Sequence, residues 1–144
     1  MIRKANINDS RLVAELAILL WPNHEINELE EEMIEHINSE NEAVFIYFSE
    51  TEAAGFAQCG LRNDYVEGTD SSPVGYLEGI FTKAEYRNRG VGKSLLTQCE
   101  QWARSKGCSE FASDCELDNT ESLKFHLKIG FEEANRIICF KKGL

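Results

Sequence analysis

The run Val74-Gly75-Tyr76-Leu77-Glu78-Gly79-Ile80-Phe81-Thr82 is apolar enough for a central strand, carries one carboxylate in its middle, and is soon followed by Gly90-Val91-Gly92. From Gly90 to Lys106 the residues Val91, Leu95, Leu96, Cys99, Trp102 and Ala103 recur at the helical period, and Gly107 ends the pattern. Strand, glycine turn and long amphipathic helix in that order leave backbone N–H groups free at the helix start, where phosphate can bind. The glycines let the backbone approach such a ligand closely.

The remaining elements complete a mixed α/β order. Met1 to Ala5 alternates as a first strand, and Asn8-Asp9-Ser10 offers caps for a helix carrying Leu12, Val13, Leu16, Leu19 and Leu20 until Pro22 stops it. Ile26, Leu29, Met33, Ile34 and Ile37 predict a second helix. Ala43 to Ser49 and Ala53 to Leu61 predict a hairpin, with Arg62 to Pro73 as a loop. Glu110 to Ser113 reads as a short strand, and Asp118-Asn119 precedes a helix with Leu123 and Leu127 that ends at Gly130. A last strand is expected near Arg136 to Phe140. With 144 residues, 42% hydrophobic, and no repeat or linker, residues 1–144 are read as one domain.

Charge and cysteine usage narrow the partners. A net charge of −10 repels a polyphosphate, which argues against nucleic acid, and no apolar stretch reaches the roughly 18 residues of a membrane span. Ten acids and no Lys or Arg fall between residues 25 and 52, reading as the solvated face of the second helix or as an acidic rim for a polycation. The five cysteines form no C-x-x-C pair and stand at no metal-ligand spacing with His24, His36 or His126, so no metal is expected. They read as reduced core thiols of a cytoplasmic protein. Glu15 interrupts the first apolar run and Trp21-Pro22 follows it, which fits a helix better than a signal peptide.

Gly92-Lys93-Ser94 ends like a nucleotide P-loop, but Arg87 stands where that motif needs glycine, and Leu95 replaces the third glycine of a dinucleotide fingerprint. Arg87-x-x-Gly90-x-Gly92 after Leu77-Glu78-Gly79-Ile80-Phe81, with Asn119 and then Gly130-Phe131, instead resembles the GNAT superfamily of acetyl-CoA-dependent N-acetyltransferases. The resemblance implies a mixed, mostly antiparallel central sheet flanked by helices. It also implies that the loop Arg87, Asn88, Arg89, Gly90, Val91, Gly92 and Lys93 holds the pyrophosphate of acetyl-CoA, and that the backbone of Ile80, Phe81 and Thr82, with Asn119, meets the pantetheine arm.

A narrower likeness lies in Leu20-Trp21-Pro22, Arg62-Asn63-Asp64-Tyr65-Val66-Glu67-Gly68, Ser71-Ser72-Pro73-Val74, Leu77-Glu78-Gly79-Ile80, Phe111-Ala112-Ser113-Asp114 and Gly130-Phe131-Glu132-Glu133. These segments resemble the chromosomal Gram-negative aminoglycoside 6'-N-acetyltransferases, which confer resistance to drugs such as kanamycin. That family implies an aminoglycoside acceptor met by Trp21, His24, Tyr65, Glu78, Asp114 and the segment around Asn135, and it implies a homodimer. His126 stands where many GNAT members carry a tyrosine that protonates the leaving thiolate, and Asn135 stands near a position that is often acidic in the close relatives.

An alkylammonium must lose a proton, from a group with a reference pKa near ~10, before its amine attacks a thioester directly in a ternary complex. Glu78 is the candidate base, directly or through water, and Asp114 the candidate partner for the acceptor's positive charge. A carboxylate set in an apolar strand costs several kcal/mol if it is buried unpaired, so Glu78 needs a reason to be there. Other acceptors, a polyamine or a protein amine, stay open, as does a non-catalytic acyl-CoA-binding regulator, although a binding module has no need of the two carboxylates.

Overall fold

A computed structural model describes residues 1–144. In chain order it contains β1 (Ile2–Lys4), α1 (Ser10–Leu20), α2 (Ile26–Asn38), β2 (Glu42–Ser49), β3 (Glu52–Arg62), β4 (Val74–Thr82), α3 (Val91–Ser105), β5 (Phe111–Ala112) and α4 (Thr120–Lys128). Short 3-10 turns lie at Ile7–Asp9 and Ala84–Tyr86. The strands form one sheet in the order β1-β2-β3-β4-β5, antiparallel from β1 through β4, with β5 parallel to β4. This is the expected mixed, mostly antiparallel sheet flanked by helices.

Strand periodicity divides the core between the two faces of the sheet. Phe45, Ala57, Cys59 and Leu77 pack under Leu95, Leu96, Cys99, Trp102 and Ala103 of α3. On the opposite face Val44, Ile46 and Phe56 meet Val13, Leu16 and Ala17 of α1 and Leu29 and Met33 of α2. Because both faces of β2 and β3 are covered, these strands read as nearly continuous apolar runs rather than as alternating ones.

Three expectations need correction. The segment Arg136 to Phe140 forms no strand, and Ile137, Ile138 and Phe140 are exposed. Its residues favour a strand, but a strand needs another backbone to bond with, and this segment pairs with none of the five strands. Strand β5 is limited to Phe111–Ala112, because its ladder with β4 ends at the pair Tyr76 and Ala112. Of the cysteines, Cys59, Cys99 and Cys108 are buried, whereas Cys115 and Cys139 are exposed and are not core thiols, since both follow β5 in segments with little packing over them.

Two irregularities set up the site. In the β3–β4 ladder Gln58 pairs with Gly79 and Cys59 with Leu77, so Glu78 is left over at a bulge. A bulge twists the strand and re-aims a side chain, which accounts for an exposed carboxylate on an otherwise covered strand. Beyond Tyr76, β4 loses its β5 partner while β3 still pairs with Ile80, Phe81 and Thr82. One edge of the second half of β4 is therefore open.

Candidate active site

The open edge of β4 leads directly into the glycine loop. Arg87 Nε donates to the Thr82 carbonyl at 2.9 Å and the guanidinium lies 5.7 Å from the Phe81 ring centroid, tying the loop to the strand end. Asn88 and Gly90 have φ of 61° and 80°, a left-handed backbone that glycine adopts without strain. Helix α3 starts at Val91, and its first intrahelical bond runs from the Ser94 N–H to the Gly90 carbonyl at 3.0 Å. The N–H groups of Val91, Gly92 and Lys93 therefore have no helical acceptor. With Arg87, Arg89 and Lys93 alongside, this helix start suits an anion within a chain of net charge −10.

The two glycines of the loop differ. A Cβ on Gly90 would meet nothing within 4 Å, whereas one on Gly92 would fall 2.8 Å from the Phe125 ring of α4. Gly92 thus serves helix packing as well as the loop, a role not evident from the motif. Asn119 is the N-cap of α4, and its side-chain oxygen accepts from the Ser122 N–H at 3.1 Å.

Beside the strand split lies a cleft of about 910 Å³, lined among others by Arg62, Tyr65, Tyr76, Asp114, His126 and Asn135. Its walls come from the loop after β3, the end of β5, α4 and the C-terminal segment. Gly68, with φ 81°, lets the first of these approach Ala134, where a Cβ would clash. Asn135 Nδ2 donates to Glu67 at 3.1 Å across the same junction. Glu110 accepts from the Asp70 N–H at 2.8 Å and from the Ser71 hydroxyl, bonds that hold its carboxyl below the usual range, the Ser71 bond most. The loop is thereby fastened to the approach to β5.

At the cleft wall four side chains form one connected group. Arg62 Nη2 lies 3.1 and 3.2 Å from the two Glu78 oxygens, and its Cζ sits 3.4 Å from the Tyr76 ring centroid. The Tyr76 hydroxyl donates to Asp114. Burial, and then the Asp114 carboxylate, push the Tyr76 phenol far up from its ordinary value, with Arg62 pulling weakly the other way. Tyr76 therefore stays protonated and remains a donor. Nearby, His126 Nδ1 lies 2.7 Å from the Ser122 carbonyl, which can only accept, so Nδ1 carries a proton, and Nε2 lies 2.8 Å from the Ser113 hydroxyl.

The structure thus brings Tyr65, Asp114 and Asn135 to one cleft and reaches Glu78 through Arg62. Trp21 and His24 do not line it. The Trp21 ring packs edge-on to Phe56, with centroids 6.1 Å apart, and covers Gly79, where a Cβ would fall 2.7 Å from the ring. It packs on the strand next to Glu78, on the sheet face that also carries Phe56. His24 is exposed in the turn after α1. Sequence reasoning missed Arg62 and Tyr76 as site residues, although Arg62 opens the motif Arg62-Asn63-Asp64-Tyr65 and Tyr76 stands two residues before Glu78.

Comparison with known proteins agrees with this architecture. Residues 13–131 match the acetyltransferase (GNAT) family. An aminoglycoside N(6')-acetyltransferase type 1 of Salmonella typhimurium is 43% identical over 123 residues, 85% of each chain. One from Acinetobacter baumannii is 40% identical over 141 residues, 96% of each. Among solved structures, AAC(6')-Iy bound to the bisubstrate analogue CoA-S-monomethyl-acetylneamine superposes with a TM-score of 0.95 at 40% identity, covering 100% of this chain and 98% of that one. AAC(6')-Ih from Acinetobacter baumannii gives 0.94 at 37%, with coverage of 100% and 98%. With most of its length matched at both levels, the chain belongs to the acetyltransferase (GNAT) family, in the group of the aminoglycoside N(6')-acetyltransferases.

Proposed function

We propose that this protein transfers the acetyl group of acetyl-CoA to the 6'-amine of aminoglycosides and so confers resistance to them. The observation that carries the reading is the attachment of two carboxylates, Glu78 and Asp114, to one Arg62–Tyr76 stack beside the place where β4 loses its partner strand. An open strand edge suits an extended, amide-bearing arm, and paired acids on a cleft wall suit a polycation. Acetyl-CoA supplies the activated acyl group.

On this reading Arg87, Asn88, Arg89, Gly90, Val91, Gly92 and Lys93 bind its pyrophosphate. The backbone of Ile80, Phe81 and Thr82, with Asn119, meets the pantetheine arm. Glu78 accepts the proton of the acceptor ammonium, directly or through water, and Asp114 holds the acceptor's charge beside Tyr76. Tyr65 and Asn135 border the same cleft, while Trp21 backs the strand through Gly79.

The protein works in the cytoplasm as a homodimer. No helix is long and apolar enough to cross a membrane, and three buried free thiols suit a reducing compartment. Ile137, Ile138 and Phe140 are 62%, 81% and 91% exposed, an apolar stretch that a second copy would cover. Sedimentation at micromolar concentration should show the dimer, and a single 16.3 kDa species would remove it.

Thiol release from acetyl-CoA, followed with kanamycin, spermidine and a peptide panel, tests the activity. Kanamycin should be turned over, and a matched drug with a 6'-hydroxyl should not, because a hydroxyl is the poorer nucleophile toward a thioester at neutral pH. Glu78→Gln and Asp114→Asn should each lower turnover much more than they weaken acetyl-CoA binding. Equal rates for the amine and hydroxyl pair would refute the regiochemistry.

A further inference from the structure

Both carboxylates on the acceptor wall are already engaged by donors of the chain itself. Asp114 accepts from a neutral phenol, but Glu78 is held by a cation, with Arg62 Nη2 between its two oxygens and Nε 3.4 Å from Oε1. The Glu78 side chain is 33% exposed and that of Arg62 43%, so water reaches the pair and solvation alone would satisfy the carboxylate. Stacking 3.4 Å above Tyr76 supplies what an isolated surface pair lacks, a platform that fixes the guanidinium in place. Arg62 is the last residue of β3, and its side chain borders the cleft, where an incoming molecule can displace it without disturbing the core.

An alkylammonium offers Glu78 what the guanidinium offers, a positive charge carrying N–H donors. Resting on the acceptor site described above, we propose that Arg62 is a placeholder cation: it occupies the seat at Glu78 that an acceptor ammonium takes, and a polyamine acceptor binds by exchanging with it. The site is thereby neutralised when empty, and only a ligand able to replace the guanidinium gains Glu78. An acceptor without a cation at that position leaves the Arg62–Glu78 pair closed, which makes Arg62 a residue that selects charge.

This role and a purely structural one differ in sign. If Arg62 holds a seat, removing its charge helps the acceptor. If it only orients Glu78, removing it harms catalysis. The test compares wild-type protein, Arg62→Gln and Arg62→Lys by steady-state kinetics with kanamycin and acetyl-CoA, together with acetyl-CoA affinity as a check of folding.

Arg62→Gln is expected to lower the kanamycin KM about threefold to tenfold at low ionic strength, with a larger change in KM than in kcat and with acetyl-CoA affinity preserved. The gap to wild type should shrink at about 0.5 M salt, where exposed ion pairs are screened. Arg62→Lys should fall between, since an ammonium keeps the charge but not the planar, stacked fork. In wild-type protein the 15N resonance of Arg62 Nε should shift as kanamycin is titrated in, a readout that does not depend on any variant folding.

A KM that is unchanged or raised in Arg62→Gln, or a loss of kcat restored by Arg62→Lys, would overturn the exchange and make Arg62 a positioning residue. An Nε resonance that stays still during titration would do the same. Wild-type turnover of kanamycin together with either result removes the placeholder alone, whereas wild-type protein that acetylates no aminoglycoside removes the proposed function and the placeholder with it.

Discussion

The Tyr76 hydroxyl donates its hydrogen bond to the Asp114 carboxylate, joining β4 to the chain just beyond the last β4–β5 pair, Tyr76 and Ala112. Burial holds the phenol protonated, so the bond persists across any practical assay pH. Tyr76→Phe keeps the ring under Arg62 but frees Asp114. The variant is expected to raise the acceptor KM about threefold to tenfold, the scale of one lost charge-assisted bond, with acetyl-CoA affinity unchanged. Steady-state kinetics with both substrates check this, and an acceptor KM equal to wild type would show that the bond does not position Asp114.

Much of this architecture is legible in the sequence because the signals are local. Val91, Leu95, Leu96, Cys99, Trp102 and Ala103 specify a helix by spacing alone, and the observed α3 buries all six. Glu78 stands out because a carboxylate in an apolar run demands a partner. Its partner was not legible, since the Arg62–Glu78 contact depends on how β3 and β4 align and on the slip between Gln58 and Cys59. The C-terminal pattern shows the opposite limit: Arg136 to Phe140 reads as a strand by composition, but strand formation depends on a neighbouring edge that composition does not specify.

The glycine loop makes a second expectation. A Cβ on Gly92 would fall 2.8 Å from the Phe125 ring, so even Gly92→Ala must push that ring aside at the α3–α4 contact. The stabilisation that acetyl-CoA gives the folded protein by mass action should be reduced in Gly92→Ala and abolished in Gly92→Glu. Phe125→Ala in the Gly92→Ala background opens the contact and should restore part of it. Thermal shift with and without acetyl-CoA measures the effect, and wild-type cofactor stabilisation in Gly92→Glu would defeat the phosphate-loop assignment.

A third expectation concerns stability at the start of the chain. Arg3 donates to both Asp9 oxygens at 2.7 and 2.8 Å, the Asn6 N–H donates at 2.8 Å, and these bonds, Arg3 first, lower the Asp9 carboxyl below its usual range. A carboxylate with a depressed folded-state pKa stabilises above the unfolded value, near 3.8, and loses that contribution as pH falls through the folded value. Asp9→Ala should therefore destabilise the fold by about 1–3 kcal/mol at pH 7, allowing for the partial exposure of Arg3. The difference from wild type in urea unfolding should narrow steadily below about pH 4. A penalty independent of pH would assign the effect to packing rather than to the ion pair.

His126 is the last and most discriminating case. Its Nδ1 proton points to the Ser122 carbonyl and its Nε2 lies against the Ser113 hydroxyl, so both ring nitrogens are engaged within the fold. Phe131 and Phe125 flank the ring, with centroids 5.1 and 5.9 Å away. This is the setting of a residue that packs α4 against the end of β5, and proton donation to a leaving thiolate would require breaking one of these bonds. A thiolate with the acidity of a cysteine, pKa about 8.5, leaves without strong assistance near neutral pH. His126→Ala is accordingly expected to lower the rate less than tenfold and to keep a profile that rises with pH, as deprotonation of the acceptor amine dictates. An essential imidazolium would impose the opposite trend, with turnover falling as pH rises through the neutral range. A loss of a hundredfold or more in a folded variant with wild-type acetyl-CoA affinity would transfer the proton to His126 and make Ser113 its relay.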